Sequence, residues 1–189
     1  MIFGIVPRER VAKGWTGSVR MKIRKATVSD ASVLVALNQS VQNMHADAFP
    51  ERFRRDAPKE TVERAFGAMI QAPSSYWLVA EEDEPIAFLN AEFREREESW
   101  CLVSHRVCYL AGIVVEPRFR RRGIARALVS ELKREADARG VTCIELDVWA
   151  FNEQARQMFT CMGFRGIMER MTLAAERPGT REIRGPTRP

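Results

Sequence analysis

Residues 114–129, "VVEPRFRRRGIARALV", combine features that suit the binding of an anion. Five arginines surround Gly123, and the apolar residues that follow recur at the spacing of one helix face. The first turn of a helix carries about half a positive charge and N–H groups without intrahelical acceptors, and a glycine lets a ligand approach the backbone. The stretch therefore predicts a strand, a basic turn and a helix that together bind phosphate.

Two familiar phosphate sites are excluded by the residues of this turn. No Gly-Lys-Ser/Thr sequence is present for a nucleoside-triphosphate loop, and a single glycine does not satisfy G-x-G-x-x-G. The net charge of +5 and the pI near 9.3 favour an anionic partner without defining it. A solvated basic face or a nucleic-acid patch is the alternative for the five arginines, which are Arg118, Arg120, Arg121, Arg122 and Arg126.

Composition predicts one soluble, cytoplasmic domain, and the alternation of helical and strand periodicities along the chain predicts an α/β fold. The chain has 189 residues, of which 46% are hydrophobic. The four cysteines form no CxxC pair, which favours buried free thiols over disulfides or a zinc site. The apolar start, residues 1–6, is shorter than a signal-peptide core, and no run approaches the roughly 18 apolar residues of a membrane span. We therefore expect no membrane partner.

The two ends of the chain differ in composition from the middle. Residues 1–20 mix Gly, Pro and basic residues without periodicity, so we expect an N-terminal extension that can stay disordered, and Met21 is a candidate for the true start. Residues 175–189 are rich in Pro, Gly and Arg and predict a flexible basic tail. The predicted domain is residues 21–174.

Helical and strand periodicities alternate between these ends. Asn152 is a predicted helix cap, and Gly140 is a predicted helix stop. The predicted helices cover 31–42, 61–70, 124–139 and the residues from Asn152 to Gly163. A first predicted strand begins at Met21, and the other predicted strands cover 76–80, 86–93, 107–115, 141–149 and 164–173.

Two ordered motifs give the chain a resemblance to the GNAT superfamily of acetyl-CoA-dependent N-acetyltransferases. The family's pyrophosphate turn, [QR]-x-x-G-x-[GA], is matched by "RRRGIA", after the strand "IVVEP". A later family pattern is matched by "LDVWAFNEQARQMFTCMGF". The resemblance covers roughly residues 21–173. It implies a mixed, mostly antiparallel, twisted sheet flanked by helices, with the strands at 107–115 and 141–149 splayed apart.

The resemblance also implies a site for coenzyme A between the splayed strands, with no metal. The pantetheine arm would pair with the backbone of Ile113, Val114 and Val115 as an added strand, and Asn152 would hydrogen-bond the arm. The pyrophosphate would be bound at the turn, by Arg120, Arg121, Arg122, Gly123, Ile124, Ala125 and Arg126.

The reaction that follows is acetyl transfer from a thioester to an amine. A primary amine with a pKa of about 10.4 is mostly protonated at neutral pH, so a base or a water relay must remove a proton. Asp147 is the candidate base, because ribosomal-protein N-acetyltransferases of the superfamily carry a glutamate five residues before the asparagine. A solvated strand carboxylate is the alternative. Weaker candidates are Glu92, Tyr109 and His105.

Two positions depart from the family. Leu110, Ala111 and Gly112 stand where many relatives place a carboxylate before the turn. Phe159 stands where relatives often hold a tyrosine as general acid, and its ring has no proton to donate. Phenylalanine at this position is also explained as a buried aromatic of its helix face.

The resemblance places His45 and the segment "HADAFPERF" beside the acceptor, whereas Phe49, Phe53 and Trp77 are predicted to be core. The acidic turns "EEDEP" and "EREE" are predicted to be solvated. We expect an N-acetyltransferase, monomeric or homodimeric, that acts on a primary amine of a small molecule such as a polyamine or aminoglycoside, in preference to a protein N-terminus or lysine. The alternatives are a non-catalytic coenzyme-A-binding module and an arginine-rich nucleic-acid binder, and we do not expect nucleic acid.

Overall fold

The computed structural model describes residues 2–4 and 21–173, which form a mixed sheet with helices on both faces. The strands are β1 (Ile2–Gly4), β2 (Lys22–Lys25), β3 (Ser75–Glu81), β4 (Pro85–Arg96), β5 (His105–Val115) and β6 (Ile144–Glu145). The helices are α1 (Ala31–Ala48), α2 (Lys59–Gln71), α3 (Ile124–Ala138) and α4 (Glu153–Cys161). Mostly antiparallel pairing within a mixed sheet confirms the predicted fold class.

The antiparallel part of the sheet runs β5-β4-β3-β2. The β4–β5 pairing shifts register, because Asn90 lies opposite Gly112 whereas Ala91 lies opposite Leu110. Ala111 is therefore an extra residue, a β-bulge, in the middle of β5. A bulge bends its strand and increases the local twist, so β5 changes direction here.

The second edge of β5 is shared by two short parallel strands. β6 pairs with Cys108 and Tyr109, before the bulge. β1 pairs with Gly112, Ile113 and Val114, after the bulge. The strands β5 and β6 thus diverge as predicted, and the N-terminal residues 2–4 lie along the edge that their divergence leaves open.

Each face of the sheet has its own apolar core. On one face α3 and α4 contribute Leu128, Leu132 and Phe159, which pack against alternate strand residues such as Leu89 and Leu110. On the opposite face α1 and α2 cover Trp77, Phe88 and Val114 with residues including Leu34 and Phe66. Side chains alternate between the faces of a strand, so neighbouring residues of β5 belong to different cores. Trp77 is core, as predicted.

The predicted helices and the hairpin are present, with longer boundaries. α1 continues to Ala48 instead of ending near Gln42, so His45 lies on the helix and not in a loop. The side chain of Asn152 accepts a hydrogen bond from the N–H of Ala155 (3.1 Å), which confirms its predicted role as a helix cap.

Two strand predictions are wrong. Of the predicted strand 141–149 only Ile144–Glu145 pairs with β5, because β5 bends away at the bulge, and β1 pairs with the part of the edge after the bulge. The predicted strand 164–173 is irregular, and four of its apolar side chains are exposed: Ile167, Met168, Met171 and Leu173. A strand needs a partner with free N–H and C=O groups, and the two-residue β6 offers little of either.

The N-terminal extension contributes a strand that the sequence did not predict. Ile2–Gly4 joins the sheet, whereas the predicted tail at 175–189 lies outside the described residues. No helix in the described part of the chain has the length and hydropathy to cross a membrane. Within the same residues no group of three or more His, Cys, Asp or Glu side chains could hold a metal.

The cysteines are free thiols, but only one of them is buried. Cys108 lies within the core, and burial raises the pKa of its thiol to about 12. Cys101, Cys143 and Cys161 are exposed. The prediction of buried thiols is therefore correct only for Cys108.

Candidate functional site

The turn between β5 and α3 exposes a series of backbone N–H groups. A short 3₁₀ turn, Pro117–Phe119, leads into Arg121 and Gly123, both of which have positive φ (64° and 80°). The first intrahelical hydrogen bond is from the N–H of Ala127 to the carbonyl of Gly123 (3.0 Å). The N–H groups before Ala127 therefore have no acceptor within the helix and point out of it. Backbone in which positive and negative φ angles alternate forms concave sites that bind anions.

Gly123 faces open space. A Cβ built at this residue would meet no protein atom within 4 Å, so packing within the protein does not explain the glycine. Its φ of 80° favours glycine on conformational grounds. The absence of a side chain leaves room for a ligand directly against the N-terminus of α3.

The arginines of the turn have different surroundings. Arg120 is half-buried, its Nε donates to the carbonyl of Val115 (3.0 Å), and burial lowers the pKa of its guanidinium. Arg118 pairs with Glu116 (2.6 Å). Arg126 is exposed and approaches the carbonyl of Cys161 (3.5 Å), and Arg121 is also exposed. The five arginines are therefore not one uniform solvated face.

Arg122 is held by a residue of the hairpin between β3 and β4. Its guanidinium pairs with the carboxylate of Glu82 and lies 5.3 Å from the ring centroid of Phe119. The Glu82 side chain is only 6% exposed. The acidic turn "EEDEP" was predicted to be solvated, and for Glu82 that prediction is wrong, because this residue contacts the basic turn.

The predicted strand partners of the pantetheine arm lie on β5. Ile113 and Val114 are buried, and Val115 is half-buried. The edge of β5 that faces away from β4 is paired with β1 at Ile113 and Val114. Asn152 is 4% exposed at the start of α4. Ile124 and Ala125 form the first turn of α3, where Ile124 is buried in the core.

Asp147 accepts a hydrogen bond from Tyr109 across the diverging strands. The Tyr109 hydroxyl donates to Oδ2 of Asp147 at 3.1 Å. Burial, with the charge of Asp147 as the second cause, raises the pKa of the Tyr109 phenol. The phenol therefore stays protonated at physiological pH and remains a donor to the carboxylate.

Two further charged groups complete this cluster. Glu92 lies directly opposite Tyr109 in the β4–β5 register, and its carboxylate pairs with Arg94 (2.8 Å). The Arg94 guanidinium stacks 4.0 Å from the centroid of the Tyr109 ring. His105 is not part of the cluster, because it is exposed four residues earlier on β5 and bonds to the carbonyl of Val103 (2.9 Å).

Trp149, two residues after Asp147 in the chain, belongs to a group of aromatic rings that we name the aromatic cluster: His45, Phe49, Phe53, Trp149 and Phe151. Leu146 and Val148 pack against the core that α3 and α4 cover, whereas Trp149 contacts the rings of His45 and Phe49 at the C-terminal end of α1. The rings of Phe49 and Trp149 are 5.0 Å apart, and both side chains are half-buried. Phe49 and Phe53 are therefore not core residues, contrary to the prediction.

His45 is the fully buried member of the aromatic cluster. Its Nδ1 is 2.9 Å from the carbonyl of Val41, which can only accept, so Nδ1 carries the proton. Burial lowers the pKa of the ring, which is consequently neutral at pH 7. Nε2 has no hydrogen-bond partner among the described residues.

Phe159 is 2% exposed in the core beneath α3 and α4. Its ring meets that of Phe164 edge to face, with centroids 5.4 Å apart. The explanation of Phe159 as a packing residue is therefore supported by its burial.

The structure thus forms two groups from the predicted residues: the turn at 120–126 and the cluster around Asp147. The sequence analysis did not predict the contact of Glu82 with Arg122. It also did not predict that Trp149 and Phe151 lie next to His45. The alternation of Leu146 and Val148 with Asp147 and Trp149 in the sequence is the signal that could have grouped the latter two residues.

A family model and several known proteins match this chain. The acetyltransferase (GNAT) family model matches residues 38–164. The [ribosomal protein bS18]-alanine N-acetyltransferase of Haemophilus ducreyi is 26% identical over 102 residues, which is 50% of this chain and 68% of that enzyme. The same-named enzyme of Salmonella typhimurium is 40% identical over 55 residues, covering 29% of this chain and 37% of the enzyme.

Solved structures share the fold. A tetramutant of the BH1408 protein from Bacillus halodurans has a TM-score of 0.76 at 26% identity and covers 82% of this chain and 99% of its own. The aminoglycoside N-acetyltransferase AAC(6')-Iy in complex with CoA has a TM-score of 0.62 at 23% identity, with 84% and 95% covered. The second likeness concerns the fold alone.

Proposed function

The chain belongs to the acetyltransferase (GNAT) family and is an acetyl-CoA-dependent N-acetyltransferase, and we propose that its acceptor is a primary amine bound between Asp147 and the aromatic cluster. The observation that carries the proposal is the hydrogen bond between Tyr109 and Asp147 (3.1 Å), two residues before the half-buried Trp149 of the aromatic cluster. The catalytic domain is residues 21–174, with 1–20 as an extension and 175–189 as a tail.

The turn binds the pyrophosphate of the coenzyme. Support comes from the positive φ of Arg121 and Gly123, from the outward N–H groups up to Arg126, and from the open space beside Gly123. The partner of Arg122 is Glu82, so Arg122 is positioned before any ligand arrives. Arg121 and Arg126 are exposed, and Arg126 would exchange its long contact with the Cys161 carbonyl (3.5 Å) for a phosphate.

The pantetheine arm follows the edge of β5. Backbone groups of Ile113, Val114 and Val115 would bond to its amides as a neighbouring strand does, and Asn152 would bond to it from the start of α4. Because this edge lies where β5 and β6 diverge, the thioester end of the arm would lie toward the bulge and the Asp147 cluster.

Asp147 is the base that prepares the amine. An ammonium gives one proton to the carboxylate, the neutral nitrogen forms a bond to the acetyl carbon, and the carbon–sulfur bond then breaks to release the coenzyme thiolate. Backbone N–H groups near Val114 or Val115 would stabilise the oxyanion of the tetrahedral intermediate. Tyr109 acts as a positioning residue, because it donates to one oxygen of Asp147 and leaves the other for the amine.

The thiolate leaves without a protein acid. Phe159 is buried and has no proton, so water or the protonated product would neutralise the sulfur. A thiol with a pKa of about 8.5 leaves as thiolate at pH 7 against a mismatch of roughly 1.5 units, or about 2 kcal/mol. That cost is small compared with the barriers that enzymes lower, so turnover is expected to persist.

The aromatic cluster and the Asp147 carboxylate suit a cationic acceptor. Asp147 supplies negative charge, and the face of Trp149 attracts a cation at about 0.5–2 kcal/mol. An amine on a small molecule matches this half-buried surface better than the flat contact that a folded protein would make. Among the compared proteins, one carries an aminoglycoside in its name and another a ribosomal protein alanine.

An acetyl-CoA turnover screen tests this proposal. The acceptors are polyamines, aminoglycosides, aromatic amines and peptide N-termini, and free thiol is the readout. Amine-dependent thiol release with one class of small amine is the expected result. Binding of coenzyme A without transfer to any amine would instead favour a non-catalytic binding module, for which the departure at Phe159 is the motivating observation.

A further inference from the structure

We infer that the cleft between β5 and β6 also binds an extended peptide strand, that its occupant is the chain's own segment Ile2–Gly4, and that this occupant excludes coenzyme A. The inference depends on the proposed function for its coenzyme half, since competition requires a coenzyme that binds at this edge.

The occupied groups are defined by the register. Ile2 lies opposite Gly112, Phe3 opposite Ile113, and Gly4 opposite Val114, in parallel orientation. A strand has two edges, and β4 follows one edge of β5 from His105 to Val115. β1 therefore uses the edge that faces the cleft.

The pantetheine arm requires the same backbone groups. Its proposed partners are Ile113, Val114 and Val115, and β1 already lies opposite the first two. A backbone N–H or C=O on a strand edge bonds to one neighbouring chain at a time, whether that neighbour is a peptide or an amide-bearing arm. Peptide strand and coenzyme are consequently mutually exclusive here.

The cleft accepts a strand because β6 leaves the edge uncovered. β6 pairs only as far as Tyr109, and the bulge at Ala111 turns β5 away from it. With β1 in place, Ile113 and Val114 are 4% and 1% exposed. A buried edge without a partner would leave backbone groups unsatisfied, and β1 satisfies them when no coenzyme is bound.

The covalent link makes the peptide an effective competitor. Ile2–Gly4 is covalently linked to the domain that begins at Met21, and sixteen residues, 5–20, separate the two in the sequence. A tethered segment has an effective concentration in the millimolar range, so three paired residues can compete with a free coenzyme. The apparent dissociation constant of the coenzyme then rises by the reciprocal of the fraction of molecules in which the edge is open.

The test uses the full chain with two adjacent substitutions, Phe3→Pro and Gly4→Pro together. Successive N–H groups of a strand point to opposite sides, and proline has no N–H group. Replacing two neighbouring residues therefore removes the N–H that faces β5, whichever of the two residues carries it. Calorimetric titration with coenzyme A is expected to show about 10- to 100-fold tighter binding than in the unmodified chain. The matched control, Val11→Pro with Ala12→Pro, lies in the same extension outside β1 and should bind like the unmodified chain.

Two further measurements test the inference: hydrogen exchange, which does not depend on coenzyme affinity, and the addition of a peptide, which should reverse the gain in coenzyme affinity. Without coenzyme, hydrogen exchange at residues 112–114 should be faster in the Phe3→Pro/Gly4→Pro chain than in the control, because the cleft edge has lost its partner. A synthetic peptide with the sequence of residues 1–6, "MIFGIV", added to the substituted chain should weaken coenzyme binding again.

The outcomes separate the two claims. Equal coenzyme affinity in all chains, or unchanged exchange at 112–114, would overturn the peptide site and leave the coenzyme site intact. No coenzyme binding in any chain would overturn the proposed coenzyme site and the competition with it.

Discussion

The hydroxyl of Tyr109 donates a hydrogen bond to Oδ2 of Asp147 at 3.1 Å, joining β5 to the segment that leaves β6. These two residues are 38 positions apart in the chain and meet where the strands begin to diverge. The hydrogen bond orients the Asp147 carboxylate at the mouth of the cleft. The Arg94 guanidinium stacks on the ring of Tyr109. A carboxylate so placed can remove a proton from an amine that enters beside the aromatic cluster.

Gly123→Glu is expected to weaken coenzyme A binding at least about tenfold, because a carboxylate at the N-terminus of α3 would occupy the open space and repel the pyrophosphate. Calorimetry of the folded variant is the measurement. Gly140→Glu is the matched control, since Gly140 also has a positive φ (68°) and open space at its Cβ position but lies at the other end of α3. Equal loss of affinity in both variants would remove the assignment of the turn.

Trp149→Ala is expected to raise the KM for the amine about tenfold and to leave the KM for acetyl-CoA nearly unchanged, because the ring contributes to the acceptor surface only. Steady-state kinetics with a verified acceptor measures both constants. Trp100→Ala serves as the control, since this residue is 97% exposed in the loop before β5. A change in the KM for acetyl-CoA with an unchanged KM for the amine would show that Trp149 contacts the coenzyme and not the acceptor.

The sequence predicted the elements whose signals are local. The turn and α3 followed from Gly123, the arginines and a regular apolar spacing, and the Asn152 cap followed from residue type and position. The family, the fold class, the acetyl-CoA co-substrate and the N-acetyltransferase activity, all inferred from two ordered motifs, are confirmed. Each of these features depends on residues that are near one another in the chain.

The features that sequence analysis missed depend on which segments compete for one partner. Residues 146–149 have strand alternation, but β5 bends away at Ala111 and its edge after the bulge pairs with Ile2–Gly4, so residues 146–149 form no strand. Glu82 reads as part of a solvated acidic turn until the fold places Arg122 beside it. Hydrophobic periodicity defines faces, whereas it does not define which edges meet.

Phe159→Tyr is expected to raise turnover by at most a factor of about 30, because a new proton donor can recover only the roughly 2 kcal/mol mismatch of the thiolate. The unmodified chain should already be active. Single-turnover and steady-state rates at saturating substrates measure the effect. Transfer by the tyrosine variant alone, with none by the unmodified chain, would show that an acid is required and that water does not replace it.

Asp30→Asn is expected to lower the free energy of unfolding by about 2 kcal/mol at pH 7, because the hydrogen bond from Arg24 lowers the pKa of Asp30 to about 2. A depressed folded-state pKa contributes stability above the ordinary carboxyl range, and this contribution is lost as the pH falls toward 2. Urea unfolding of both chains at several pH values between 7 and 3 should show the difference shrinking below pH 4. A constant difference across that range would contradict the role of the Asp30 charge.

The most direct measurement of the central claim is amine-dependent release of free thiol from acetyl-CoA by the unmodified chain and by Asp147→Asn, with Glu145→Gln as the control carboxylate two residues away. The amide still accepts the hydrogen bond from Tyr109 but cannot take a proton. The account predicts transfer by the unmodified chain and by Glu145→Gln, a loss of roughly 10²- to 10⁴-fold in turnover for Asp147→Asn, and an unchanged affinity for coenzyme A. Turnover of Asp147→Asn equal to that of the unmodified chain across the pH range, with the same acceptor, would contradict it.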